Sequence, residues 1–387
     1  MSEEKNQSCN ELSFDTLGIN DKILRGVYSY GFEKPSKIQD NAIPKIISGV
    51  DVIGQSQSGT GKTGAFAIGT LCRIDETNNN TQALIISPTH ELAHQSCNVI
   101  NELSSYTNIT TCKVIGGTNI SASRDELNKN PHIIVGTPGR ILDMIYRKYL
   151  FTSEIKIVIF DEADEILSQG FKDTIYNIVK SVSKECQMCL FSATLSDEIL
   201  ELTNNFMNKP EKILVQNSAL TLEGIKQFYL NVKVNDWKFD VITDIYDSIN
   251  IGQCIIYINS KNKLIDIYER LRQKNFPVSY ITGDRSSEDR KMIMQEFRSG
   301  SIRILLSTDL LSRGIDIQQL SLVINFDLPK EKETYIHRIG RSGRYGRKGV
   351  AINFITDYDI EYLDIIQKFY NTKIEEMPAN ISDILNN

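Results

Sequence analysis

The chain has 387 residues, with 43 basic and 49 acidic side chains for a formal charge of −6, and 41% of its residues are hydrophobic. That length amounts to two or three domains, with enough apolar material for more than one core. The composition excludes a fibrous or wholly disordered chain. The acidic balance excludes a polycation that holds nucleic acid by bulk charge, so any such binding must use a local surface.

The first seven residues are polar and lack the apolar core of a signal peptide. No apolar run approaches the roughly 20 residues that span a bilayer. The cysteines at 9, 72, 97, 112, 186, 189 and 254 are scattered and odd in number, which fits reduced thiols better than a disulfide framework. The expectation is a cytoplasmic protein, with the nucleus as the alternative, and no membrane partner.

Strands are predicted at 51–54, 83–87, 132–135, 157–160 and 188–192, then at 254–258, 278–281, 304–307, 322–325 and 350–354. Their consecutive apolar residues mark strands buried on both faces, as in a parallel sheet covered by helices. Between them lie helical patterns such as Leu264, Ile267, Tyr268 and Leu271, one apolar stripe. The alternation predicts an α/β protein with doubly wound parallel sheets. The rhythm pauses at 216–224, read as a linker between a first domain at 31–215 and a second at 225–387, with 1–30 as an N-terminal extension. Neither end carries a low-complexity tail, and Asn78-Asn79-Asn80 reads as a surface loop. Two domains and a short linker leave no room for a sizeable targeting module, so other proteins are expected to choose the target.

Ser56-Gln57-Ser58-Gly59-Thr60-Gly61-Lys62-Thr63 follows the first strand and opens a helix. Backbone amides of such a loop wrap a polyphosphate, with Lys62 at the β- and γ-phosphates and the Thr63 hydroxyl on Mg²⁺. Ser56 stands where the usual pattern begins with glycine. The strand at 157–160 ends in Asp161-Glu162-Ala163-Asp164. Ligands of open α/β sheets bind at the carboxyl ends of strands, so these carboxylates face the same crevice. Asp161 is expected to hold Mg²⁺, through water, and Glu162 to orient and deprotonate the attacking water.

The second half has no Gly-Lys-Ser/Thr of its own. It carries His337-Arg338-Ile339-Gly340-Arg341-Ser342-Gly343-Arg344-Tyr345-Gly346-Arg347, with arginines at three-residue spacing and glycines between them. That pattern suits guanidinium groups inserted against a phosphate. An arginine finger contributes about 10³–10⁵ in rate, or about 4–7 kcal/mol.

With these motifs the chain resembles the DEAD-box RNA helicases of helicase superfamily two, from about Phe14 to its C-terminus. Gly31 to Gln39 resembles the family's Q motif, which implies that Phe32 stacks on adenine and Gln39 reads its edge. Ser192-Ala193-Thr194 resembles the motif coupling ATP state to RNA, through Asp164 and His337. Pro88-Thr89, Gly116-Gly117 and Thr137-Pro138-Gly139-Arg140 resemble RNA-binding motifs of the first domain. Asn259-Ser260, Gly283-Asp284, Ser307-Thr308-Asp309 and the stretch from Arg313 to Asp316 resemble those of the second. The resemblance implies that Asp316 contacts the ATP ribose and that Arg341 and Arg344 are the fingers. It implies RecA-like domains, and an ATP- and Mg²⁺-dependent enzyme that unwinds short RNA duplexes or remodels RNA–protein complexes. The nucleotide set is then Phe32, Gln39, Ser58, Gly59, Thr60, Gly61, Lys62, Thr63, Asp316, Arg341 and Arg344. The RNA set is Pro88, Thr89, Gly117, Thr137, Arg140, Asn259, Gly283, Thr308 and Arg313. Leu220 to Phe228 and the stretch from Tyr335 to Gly349 are closest to the eukaryotic initiation factor 4A branch. The partners implied are single-stranded or short duplex RNA without sequence preference, and protein cofactors of translation or RNA processing, around a monomer.

Several positions depart from the pattern. His90 replaces an arginine, Ser312 an alanine, Thr282 a histidine, and Asn262 a commonly basic residue. A neutral imidazole does not reproduce a fixed guanidinium, so His90 is expected to alter RNA affinity or local ion pairing. His90-Glu91-Leu92-Ala93-His94 also spells a zinc-protease motif, but Cys97 and Ile100 fall where its extended form needs Gly and His. Cys186 and Cys189 lead into a strand that sends them to opposite faces, so Cys189 is read as core. Trp237 reads as packing. The rival function is an ATP-dependent RNA clamp with low turnover, for which the same residues would serve.

Overall fold

The computed structural model describes residues 12–56, 59–195, 197–214, 225–248, 252–309, 320–342 and 349–378. The chain divides into two compact units, Met1–Val215 and Gln216–Asn387. The expected linker at 216–224 lies outside the described residues.

In unit 1 the strands are β1 (Val52–Gln55), β2 (Ala83–Ile86), β3 (Thr111–Val114), β4 (Ile133–Gly136), β5 (Ile157–Asp161), β6 (Gln187–Ser192) and β7 (Glu211–Leu214). They form one sheet in the order β3-β4-β2-β5-β6-β1-β7, every pairing parallel. Successive residues of one strand enter different cores. Ile157 and Ile159 pack with Ala65, Phe66 and Phe191, whereas Val158 and Phe160 pack with Ile141, Ile166 and Ile175. Helices cover both faces, the doubly wound arrangement that consecutive apolar residues demand. Phe14, Ile23 and Val27 belong to the first of these cores.

In unit 2 the strands are β8 (Ile225–Asn231), β9 (Cys254–Tyr257), β10 (Val278–Ile281), β11 (Ile304–Ser307), β12 (Leu322–Asn325), β13 (Gly349–Ile355) and β14 (Glu375–Glu376). Their order is β10-β11-β9-β12-β13-β8-β14, again parallel throughout. Cys254 and Ile256 face one core and Ile255 and Tyr257 another. Parallel strands place all their carboxyl ends along one edge, and there the sheet delivers its functional loops.

Four strands, β3, β7, β8 and β14, are absent from the sequence-based prediction. In β3 buried and half-buried residues alternate, and β7 is mostly exposed. Edge strands with a solvated face lack the consecutive apolar run on which the prediction relied.

Candidate nucleotide and nucleic-acid site

Three segments converge at the carboxyl edge of the first sheet. The loop after β1 runs into α3 (Lys62–Arg73). Gly59 and Gly61 have φ of +83° and +99°, left-handed backbone that glycine adopts without steric cost. Ser56 does not share that conformation, so the loop needs no glycine there. Its amide donates to Ser192 O at 3.2 Å, and its Oγ lies 2.7 Å from Thr60 Oγ1. The departure at Ser56 therefore braces the loop. Ser58 lies outside the described residues.

Lys62 is almost fully buried, and its Nζ donates to Ser56 O at 2.9 Å. It also stands 3.4 Å from Glu162 Oε1. Glu162 follows β5 with φ 49° and ψ 58°, a left-handed geometry that costs a non-glycine residue about 1–3 kcal/mol. This turn aims the carboxylate back at the loop, and Glu162 Oε2 is buried with no hydrogen-bond partner among the described residues. Asp161, also buried, has its carboxyl raised above the ordinary range by burial first and the Glu162 charge second, with Lys62 opposing. Two buried carboxylates and the half-buried Thr63 beside a lysine form a hard-oxygen donor set. That set fits a divalent cation carried with a polyphosphate.

Gln39 sits in α2 (Lys37–Ser48), whose Ser36 and Gln39 form a reciprocal N-terminal cap. Gln39 Oε1 accepts from Ser36 N at 2.8 Å and Nε2 donates to Gly61 O at 3.3 Å. One amide hydrogen and one lone pair remain for a base edge. Phe32 lies next to it, stacked on Phe14 at 6.0 Å between centroids. A Cβ on Gly64 would meet Gln39 Nε2 at 2.6 Å and Phe32 Cζ at 3.1 Å. Gly64 therefore lets both side chains lie on α3. Sequence reading singled out its neighbours and missed Gly64.

Beyond β6, Thr194 Oγ1 donates to Asp164 Oδ2 at 2.8 Å and Asp164 N donates to Ser192 Oγ at 3.3 Å. Gln55 Nε2 donates to Ala193 O at 3.4 Å. Ser192, Thr194 and Asp164 are thus one cluster, hydrogen-bonded to both the strand and the loop of the phosphate site.

The other first-unit residues collect at the ends of β2, β3 and β4. Pro88 is buried, and Thr89 caps α4 (His90–Leu103), accepting from Leu92 N at 3.2 Å. Thr137 caps α6 (Pro138–Tyr146) and accepts from Gly116 N at 3.2 Å. Gly117 turns at φ +69°. Arg140 donates to Thr118 O at 2.8 Å and Ser123 Oγ at 2.9 Å. His90 Nε2 would lie 3.3 Å from a Cβ on Gly116, so the imidazole rests over the Gly116-Gly117 turn.

In the zinc-like motif, Lys113 Nζ approaches His94 Nδ1 at 2.7 Å. An ammonium only donates, so His94 Nδ1 accepts, and a fixed cation already occupies its vicinity. Burial pushes the Cys186 thiol up to about 12 and raises that of Cys189 further, the reverse of what thiolate chemistry requires.

In unit 2, Asn259 follows β9, Thr308 follows β11 half-buried, and the space around the Gly283 Cα is open. His337 and Arg341 are buried, the first in α13 (Lys332–Ile339) and the second just beyond it. Arg341 Nε donates to His337 O at 3.2 Å. The sequence pattern treats Arg338 as one more member of the arginine series, but it is fully buried and bonded to Asn259, Asn325, Asp309 and Asp327. Arg313, Asp316 and Arg344 lie outside the described residues.

This geometry sits in a chain whose residues 36–202 match the DEAD/DEAH box helicase model and whose residues 237–346 match the helicase conserved C-terminal domain. The chain is 54% identical over 368 residues to the ATP-dependent RNA helicase eIF4A of Candida albicans, covering 95% of this chain and 93% of that protein. The chain belongs to the DEAD-box helicase family. It is also 50% identical to eukaryotic initiation factor 4A of Caenorhabditis elegans, across 96% of this chain and 93% of that one. Among solved structures, Saccharomyces cerevisiae Dbp5 bound to RNA and ADP BeF3 superposes with a TM-score of 0.90 at 36% identity, covering 97% of this chain and 98% of that one. The likeness to the initiation factor 4A branch and the two RecA-like folds inferred from sequence are therefore borne out. Among the described residues no helix is long and apolar enough to cross a membrane.

Proposed function

We propose how this ATP-dependent RNA helicase divides its work among named residues. Phe32 and Gln39 take the adenine, Asp316 takes the ribose, and Ser58 to Thr63 wrap the phosphates, with Lys62 turning from Ser56 O and Glu162 to the phosphate oxygens. Thr63 and Asp161 would hold Mg²⁺, which would supply positive charge against the phosphates. Glu162 orients the attacking water and takes its proton. Arg341 and Arg344 stabilise charge on the transferring phosphoryl group.

Pro88, Thr89, Gly117, Thr137 and Arg140 in the first unit engage RNA, as do Asn259, Gly283, Thr308 and Arg313 in the second. They act chiefly through phosphates and 2′-hydroxyls, so recognition is independent of sequence. Asp164, Ser192, Thr194 and His337 relate nucleotide state to RNA engagement. The enzyme binds single-stranded RNA, melts short duplexes or remodels RNA–protein complexes, and releases RNA after hydrolysis. It works in the cytoplasm as a monomer that receives its targets from protein cofactors of translation or RNA processing.

The observation that carries this assignment is the buried Glu162 Oε2. Among the described residues it has no hydrogen-bond partner, although Lys62 stands 3.4 Å from the other oxygen. Buried carboxylate oxygens are ordinarily satisfied, and one kept open beside a phosphate loop has the placement of a general base. The test is ATP turnover with and without RNA, and with GTP in place of ATP, for wild type and Glu162→Gln. RNA-stimulated, ATP-selective turnover that collapses in the variant is expected. Normal stimulated turnover in Glu162→Gln would remove Glu162 from that role.

A further inference from the structure

Lys238 lies outside every motif discussed above, yet it is one of the most buried ionisable groups of unit 2. It opens α10 (Lys238–Ser248) with its side chain 3% exposed. Its Nζ donates to Phe326 O at 2.8 Å and stands 3.5 Å from Asp327 Oδ1. Burial lowers the pKa of its ammonium and Asp327 opposes that shift. Lysine is rarely buried unless paired. Here the partner is shared, because Lys263 also reaches Asp327 Oδ1 at 2.8 Å from a position one-third exposed.

Asp327 passes this restraint on. Its Oδ2 accepts from Asn259 N at 3.1 Å, and Asn259 Nδ2 donates to Leu328 O at 2.7 Å. Arg338 closes the circuit. Its Nη2 donates to Asn259 Oδ1 at 2.7 Å, its Nη1 to Asp327 O at 2.7 Å and Asn325 Oδ1 at 3.2 Å, and its Nε to Asp309 Oδ1 at 2.5 Å. Four of the five guanidinium hydrogens are spent on the last residue of β12 and on the segments after β9, β11 and β12. The same helix, α13, carries His337 and leads into Arg341.

We propose that Lys238, acting through Asp327, is a positioning residue for RNA engagement: it fixes Asn259 and, through Arg338, ties the Asn259 segment to the helix that leads to Arg341. The proposal rests on Asn259 being an RNA contact, as assigned above. Lys238 touches neither RNA nor nucleotide. Its removal therefore changes how well Asn259 is presented, while leaving turnover intact once RNA is bound.

The test is a double-mutant cycle on the full chain, reading the RNA concentration for half-maximal ATPase stimulation, kcat at saturating RNA and the melting temperature. Lys238→Met keeps the aliphatic stem, and Asp327 retains Lys263, so no buried charge is left unpaired. The RNA concentration should rise about tenfold, equivalent to about 1.4 kcal/mol, with kcat within about twofold of wild type. Asn259→Ala should raise it as well, and adding Lys238→Met to Asn259→Ala should change it little further. Asp327→Asn, which keeps an acceptor for Asn259 N and gives up the charge, should shift it in the same direction and carries the same cycle if Lys238→Met does not fold.

A lower melting temperature with an unchanged RNA constant would reduce Lys238 to a stability role and overturn the proposal, as would full additivity with Asn259→Ala. An unchanged RNA constant in Asn259→Ala would instead defeat the assignment of Asn259 itself. A shift in Asn259→Ala without one in Lys238→Met would defeat the relay alone.

Discussion

At the scale of single residues, the site depends on charges that are buried and only partly satisfied. Lys62 and Glu162 are both nearly inaccessible and 3.4 Å apart. Removing one member of such a pair leaves an uncompensated buried charge, typically worth about 3–5 kcal/mol. Lys62→Ala should therefore lose nucleotide use and also melt earlier, a cost that the motif alone does not announce. Glu162→Gln removes the proton acceptor while keeping shape and donor contacts. It should bind ATP and RNA near wild-type levels and lower kcat about 10²–10⁴-fold, seen as single-turnover hydrolysis slowed without a weaker nucleotide dissociation constant. Loss of ATP binding in that variant would show the carboxylate to be a phosphate-site support. Asp161 and Glu162 were legible because an acidic run ends an apolar strand. The left-handed turn at Glu162 was not, since nothing in its residue type requires φ of 49°. The inward role of Arg338 was not legible for a related reason. Three-residue spacing makes it equivalent to Arg341 in a pattern, and only the acceptors supplied by distant strands show that it faces inward.

At the scale of elements, α3 and β6 each serve two masters. A Cβ on Gly64 would stand 2.6 Å from Gln39 Nε2 and 3.1 Å from Phe32 Cζ. Alanine within a helix gains about 0.8–1.0 kcal/mol over glycine in propensity. Gly64→Ala should therefore keep or slightly raise Tm while displacing Gln39 and Phe32. The expected result is a several-fold higher KM for ATP and a narrower preference for ATP over GTP, measured by steady-state hydrolysis of both nucleotides. Unchanged discrimination would separate Gln39 and Phe32 from adenine reading. Just beyond β6, the Thr194 hydroxyl bridges to the Asp164 carboxylate at 2.8 Å. Hydrogen bonds to charged groups contribute about 1.5–3 kcal/mol, so Thr194→Val should cut RNA stimulation of ATP turnover about tenfold and leave RNA-free turnover less affected. Equal losses in both would make the bond structural only. The central strands were readable because burial on both faces writes a continuous apolar run. The edge strands β3 and β7 were not, because solvent on one side breaks that run into mixed residues.

At the scale of the molecule, each unit carries its own parallel sheet and its own cores on the two faces. The net charge of −6 sets how such a scaffold holds RNA. A long-range field of that sign does not recruit a polyanion, and it weakens further beyond a Debye length of about 8 Å at physiological ionic strength. On the assignment proposed above, affinity then comes from a limited number of direct phosphate contacts, with Arg140 among the residues that make them. Arg140 is already bonded to Thr118 and Ser123, so it presents a guanidinium whose orientation is set beforehand, while His90 offers no fixed charge beside it. If about five phosphates are neutralised on a single strand, log affinity should fall with log salt at a slope near −3.5. The check is anisotropy titration of labelled single-stranded RNA with a non-hydrolysable ATP analogue across a range of salt. His90→Arg, which restores a permanent cation over the Gly116-Gly117 turn, should steepen that slope by about 0.7. A slope near zero in the wild type would mean that stacking or groove contacts, and not phosphate contacts, hold the strand. An unchanged slope in His90→Arg would place that side chain away from the RNA path.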